Sequence, residues 1–136
     1  MLKKLLHTGN YKANIDLSLL VFRAGLGMMM LTHGYPKFQR VLNGEFSFGD
    51  PLGLGVEASL ILTVLAEFIC SILLILGLTT RYALVPLIIT MAVAAFIVHG
   101  DDPFGTQEKS ALYLLCFSVL MIAGPGKHSL DKRLFN

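Results

Sequence analysis

A glutamate, Glu67, sits in the middle of a long apolar run, and an arginine, Arg23, sits inside another. The run around Glu67 reads VEASLILTVLAEFICSILLILGL from Val56 to Leu78. A soluble surface helix carries a polar outer face, and this stretch has none. It therefore reads as a helix in lipid, where the backbone must satisfy its own hydrogen bonds. A carboxylate at that depth costs on the order of 3 kcal/mol on insertion scales. It has to be paired, protonated or turned toward the interior of a bundle. Arg23 is the expected partner, and either residue of such a buried pair is a candidate proton carrier.

Composition agrees with a membrane chain. Hydrophobic residues make up 54% of the 136 and charged residues 15%, well below the roughly 25% of soluble domains. Four apolar spans stand out, at about 16–35, 56–78, 82–100 and 110–126, of which the last two carry no Asp, Glu, Lys or Arg. They predict a single all-α domain over 1–136, a polytopic membrane four-helix bundle. Met1 to Lys12 lacks an apolar core long enough for a cleaved signal peptide, so the first span is expected to remain as an anchor. A net charge of +2 from scattered residues excludes nucleic acid as a partner.

The basic residues set an orientation. Lys3, Lys4, Lys12, Arg81, Lys127, Lys132 and Arg133 fall on one side of the spans. Lys37, Arg40 and Lys109 fall on the other, diluted by Glu45, Asp50, Glu57, Asp101, Asp102 and Glu108. The positive-inside rule puts both termini in the cytoplasm of an inner membrane. The segments 35–55 and 100–109 then face outward. In the first, Phe38, Val41 and Leu42 recur at helical spacing, which predicts a short interfacial helix or a lid.

His33-Gly34 and Phe38, with Pro36 between them, are echoed 66 residues on by His99-Gly100 and Phe104, with Pro103 between them. The echo suggests two pseudo-repeated helical hairpins, each with a histidine near its outer mouth. Helical spacing places Arg23, Gly27, Met30, Gly34 and Lys37 on one face, whose glycines allow close helix approach. Thr63, Glu67 and Ser71 share a face of the second span. At 1.5 Å per residue, His33 stands about 15 Å above Arg23. His33, Lys37, His99, Glu108 and Tyr113 are thus expected to line an outer vestibule above an Arg23–Glu67 pair. Such a lining suits an anion or a carbonyl-bearing ring.

Other chemistries lack their residues. Cys70 and Cys116 are single and separated, so no dithiol relay is expected. There is no nucleotide-binding glycine loop, and GPG at 124–126 reads as a helix stop. His7 and His128 fall on the cytoplasmic side, so too few histidines gather at one depth for a metal.

The motifs Arg23-x3-Gly27-x2-Met30-x2-His33-Gly34-x2-Lys37-Phe38, Ala66-Glu67-Phe68 leading to Leu76-Gly77-Leu78-x2-Arg81, MAVAAF-x-VHG ending at Gly100, and GPG-x2-SLD from Gly124 to Asp131 together resemble the DoxX family of small four-helix bacterial membrane proteins. The likeness runs from about Asp16 to Asp131. It implies a component of a membrane redox system, a quinone-linked oxidoreductase subunit or the anchor of a redox partner protein. Quinone is the cofactor it suggests, and no catalytic residue set transfers with it. Competing classes are a non-catalytic small-solute transporter or binder that uses the buried charges as a polar path, and a membrane scaffold. Glycine-lined helix faces also suit a homodimer.

Overall fold

The computed structural model describes residues 11–136. Lys3, Lys4 and His7, assigned above to the cytoplasmic side, lie outside the described residues. Among those described are four long helices and a short fifth. They are α1 (Tyr11–Leu42), α2 (Val56–Leu76), α3 (Thr80–Val98), α4 (Phe104–Ala123) and α5 (Leu130–Phe135). The stretches Asn14–Leu42, Val56–Leu76 and Thr80–Val98 are long and apolar enough to cross a membrane. The chain is thus a helical membrane protein.

The four long helices share one core. Leu26 and Met30 of α1, Leu74 of α2, Leu84, Leu87 and Met91 of α3, and Phe117 and Leu120 of α4 are buried together. The outside is as apolar as the inside. Ile61, Leu65, Ile69, Val85, Ile89, Phe96, Leu112, Leu115 and Ile122 are all exposed. No aqueous solvent selects such a surface on packed helices, whereas lipid does.

Two glycines set the fit of α1 against α2. A β-carbon on Gly27 would lie 2.7 Å from Ile75 Cγ1 and 3.0 Å from the Ser71 carbonyl oxygen. One on Gly34 would collide with the backbone of Glu67 and Phe68. The spacing of these glycines did foretell a close approach. Its register follows: Gly34 is level with Glu67, and Gly27 with the Ser71–Ile75 turn.

Three expectations need correction. First, α1 does not stop at Tyr35, and 38–42 is no separate interfacial helix. The helix runs through Pro36 to Leu42. Pro36 removes one backbone donor on an exposed face near the helix end, a tolerable loss in a membrane helix. Tertiary contacts hold the last turns, with Phe38 stacked on Phe68 at 4.3 Å between ring centres. Second, α4 begins at Phe104 rather than Ser110, because its polar first turns hide it from hydropathy. Third, the hairpin repeat extends little beyond the two histidines. The helix continues past His33-Gly34 but ends at His99-Gly100.

Both α2 and α3 contain a π-helical turn, at Leu65–Cys70 and Ala94–Val98. The second closes with the His99 N–H donating to the Ala94 carbonyl at 3.0 Å. Such turns recur at functional positions, since they swing side chains off the regular helical face.

At the end of the bundle where α2 turns into α3, the chain is clamped. Gly77, in a left-handed conformation, closes α2 in a Schellman motif: its N–H donates to the Leu74 carbonyl at 3.1 Å, and Leu78 N–H to Leu73 at 2.9 Å. Asp131 then accepts from the backbone N–H groups of Thr79 (2.6 Å) and Thr80 (2.9 Å), the start of α3. Burial pushes the Asp131 carboxyl up, but the Thr80 and Thr79 N–H groups and the nearby Arg23 charge outweigh it and hold it below its ordinary value of 3.8. A carboxylate depressed on folding stabilises the fold above its ordinary value, and that share is lost as pH falls through the folded value. The difference in melting temperature between wild type and Asp131→Asn should accordingly be constant near neutral pH and shrink in acid. A difference that persists unchanged in acid would contradict the clamp.

Candidate functional site

Arg23 and Glu67 are both buried, at 0% and 4% exposure, but they do not meet. Arg23 donates from Nη1 to the carbonyls of Leu74 (2.6 Å) and Ile75 (2.8 Å), and from Nη2 to that of His128 (2.8 Å). Those acceptors are carbonyls of the last turn of α2, of which Leu74 also accepts from Gly77 N–H, and the backbone of the segment leading into α5. Gly77 leaves the room: a β-carbon there would lie 2.7 Å from the guanidinium carbon. Arg23 is therefore a staple at the clamped end. The expected Arg23–Glu67 pair is corrected by the helix register. With Gly34 opposite Glu67, the eleven residues from Arg23 to Gly34 put the two charges about 16 Å apart along α1.

The partner of Glu67 is Lys37. It lies on the same face of α1 as Arg23, Gly27, Met30 and Gly34, one turn above the glycine that touches the Glu67 backbone. Lys37 is 26% exposed and the Glu67 side chain 5%, so the cation reaches down from the mouth to a carboxylate sunk in the bundle. Only the Oε2 atom of Glu67 takes this contact.

Above the core, the helices part around a cavity of about 120 Å³. From α1 it is lined by Met30, His33 and Lys37, from α2 by Glu67, and from α3 by Met91 and His99. From α4 come Thr106, Lys109, Ser110 and Tyr113. His33 meets Tyr113 edge-on at 5.9 Å between ring centres, and Tyr113 stacks on Phe117 at 5.7 Å. At the mouth, the His99 Nδ1 and Asp102 Oδ2 atoms are 2.8 Å apart. Gln107 Nε2 donates to the Ala95 carbonyl at 2.7 Å, tying α4 to the π turn beneath His99.

Of the vestibule residues expected from spacing, His33, Lys37, His99 and Tyr113 come together here. Glu108 does not. It is exposed, because α4 starts earlier than hydropathy suggested and the helix turns this position outward. Lys109, Thr106 and Ser110 take places that spacing did not assign. The only signal for them was periodicity back from Tyr113, with Ser110 three residues and Lys109 four residues before it. Glu67 lines the cavity itself rather than lying beneath it. The loop 43–55 contributes no lining residue, so it is not a lid here.

Chemically, the site places a buried carboxylate, two ammonium groups, two imidazoles and a phenol around a space for about four waters at ~30 Å³ each. That is smaller than the roughly 300–1,000 Å³ of sites for drug-sized ligands. It suits a single ring or a small polyatomic group. Met30 and Met91 of the lining also belong to the buried apolar cluster, so the cavity rests on an apolar floor that includes Leu26, Leu74, Leu84, Leu87 and Leu120.

No solved structure matches this chain. Among curated proteins, one of Haemophilus influenzae without a characterised function is 33% identical over 128 residues, spanning 86% of this chain and 90% of the relative. An uncharacterised membrane protein of Mycobacterium tuberculosis is 30% identical over 140 residues, spanning 86% and 81%. A protein of Bacillus subtilis provisionally named oxidoreductase CatD is 28% identical over 123 residues, spanning 90% of both. The DoxX family model matches residues 18–100, and the chain belongs to the DoxX family of membrane proteins.

Proposed function

We propose that this protein is a small component of a redox system in the bacterial inner membrane, with the cavity receiving the head group of a quinone. The observation that carries the reading is the Lys37–Glu67 pair at the bottom of a polar opening in an otherwise apolar bundle. Buried ionisable groups in a membrane helix are costly and are kept where they contact a ligand or a proton. Lys37, Lys109 and the imidazoles offer donors to a ring carbonyl, while His33 and Tyr113 offer ring faces. The relative named as an oxidoreductase adds support at the level of the family.

In this reading the helices α1 to α4 all cross the membrane. Arg81, Lys127, Lys132 and Arg133 gather at the clamped end, which the positive-inside rule assigns to the cytoplasm along with both termini. The cavity then opens outward. The protein either contacts the quinone itself or holds a partner protein, or a second copy, that does. The apolar floor beneath the cavity favours a dead-end binding site over a solute path through the bundle.

Purified protein in lipid nanodiscs should bind duroquinone, a neutral single-ring quinone, saturably. His33→Ala and Tyr113→Ala should each weaken that binding about tenfold, the loss of some 1.4 kcal/mol of ring contact. Absence of saturable binding, together with unchanged quinone reduction in membranes that carry or lack the protein, would overturn the reading.

A further inference from the structure

The charges around the cavity do not balance. Lys37 and Lys109 face it, and Glu67 is the one carboxylate that does. Glu67 is occupied by Lys37. Lys109 belongs to no ion pair among the described residues. The remaining titratable groups that face the space are His33 from α1, His99 from the end of α3 and Tyr113 from α4. Asp102 is turned to the His99 ring at the mouth, and Asp101 and Glu108 are exposed outside it. Lys109 is exposed at the rim, but it lines the space directly, well inside a Debye length of about 10 Å, so salt screens its charge there only in part. The lining therefore carries one uncompensated positive charge with its histidines neutral, and more with them protonated. Clefts of this kind concentrate counter-ions of the opposite sign.

We infer that the cavity takes its ligand as a monoanion, a ring oxyanion seated between Lys109 and Lys37, with Glu67 holding Lys37 in place. The ring rests on the redox reading above, and the charge goes beyond it. A ring hydroxyl that enters gives up its proton: the O–H bond breaks, the electron pair stays on the oxygen, and the proton leaves to solvent through the mouth. The deprotonated form is thus the tight ligand and the neutral carbonyl form the weaker one. Lys109 supplies the preference, because the charge of Lys37 is already offset.

Para-nitrophenol tests this, since one small ring absorbs visibly only when ionised. It is titrated around neutral pH with the protein in nanodiscs and, as reference, with empty nanodiscs. The expected result is saturable binding, displacement by duroquinone, and an ionisation midpoint lowered by about one pH unit, a tenfold preference for the anion. Lys109→Gln, at an exposed position that tolerates substitution, should abolish the lowering, and Lys132→Gln at the far end should leave it intact. Binding with an unchanged or raised midpoint overturns the inference, as does a lowering that survives in Lys109→Gln. Binding of duroquinone without para-nitrophenol overturns it too and leaves the redox reading standing. If neither probe binds, the inference falls, and the redox reading falls with it where quinone reduction in membranes is also the same with and without the protein.

Discussion

Lys37→Met is expected to destabilise the protein by about 3 kcal/mol, and Lys37→Met combined with Glu67→Met to restore most of that loss. Removing the lysine leaves Glu67 buried and charged with no partner, which is the costly half of breaking a buried pair. Removing both groups costs little, since the desolvation of two ions disappears with their attraction. The figure sits at the low end of the usual range because Lys37 is a quarter exposed and the cavity admits water. Unfolding in detergent by denaturant titration, read as a double-mutant cycle, gives the coupling directly. A loss in the double variant equal to the sum of the losses in Lys37→Met and Glu67→Met would mean that the pair is not coupled. The double variant should also lose duroquinone binding, which separates the stability role from the binding role.

Arg23→Met is the second large effect, and it acts at the other end. Three carbonyls lose a charged donor, each such bond contributing about 1.5–3 kcal/mol. Partial repair by water at the bundle end brings the expected loss to about 3–5 kcal/mol. Arg23→Lys should recover only part, because an ammonium has no planar fork to serve acceptors on α2 and on the His128 segment together. The specific readout is proteolysis. Trypsin should cut at Lys127, Lys132 and Arg133 faster in Arg23→Met, since the segment from Gly124 onward is released from α2. In Lys37→Met those sites should stay protected. Protection unchanged in Arg23→Met would show that the staple does not hold the segment.

These two effects divide charges that the sequence invites one to join. Periodicity correctly places Arg23, Gly27, Met30, Gly34 and Lys37 on one face, and it correctly puts Glu67 inward. What periodicity lacks is the sliding register of α1 against α2. That register is set by contact of Gly34 with the Glu67 backbone, a matter of a few ångströms. The face was legible, and the cation on it that meets Glu67 was not. The same gap explains Glu108 and Lys109. A start at Phe104 rather than Ser110 leaves the face of Tyr113 unchanged, but it makes the polar turns before Ser110 helical and so brings in Thr106 and Lys109. The π turns at Leu65–Cys70 and Ala94–Val98 carry no mark in the apolar pattern, because the second has no charged residue and the first has Glu67 alone, which is too little to show a shift of phase. The terminal GPG-x2-SLD segment reads as a helix stop. Its second task, presenting the His128 carbonyl to Arg23 and Asp131 to α3, depends on contacts far apart in sequence.

The contact between Glu67 and Lys37 inside the bundle is what joins the fold to the cavity. Solid-state NMR on protein in lipid, labelled with carbon-13 at glutamate and nitrogen-15 at lysine and arginine, measures that contact through space. A cross-peak between the Glu67 carboxylate and a lysine ammonium, lost in Lys37→Met, is the predicted result. A cross-peak to the Arg23 guanidinium instead, or none to any cation, would contradict it.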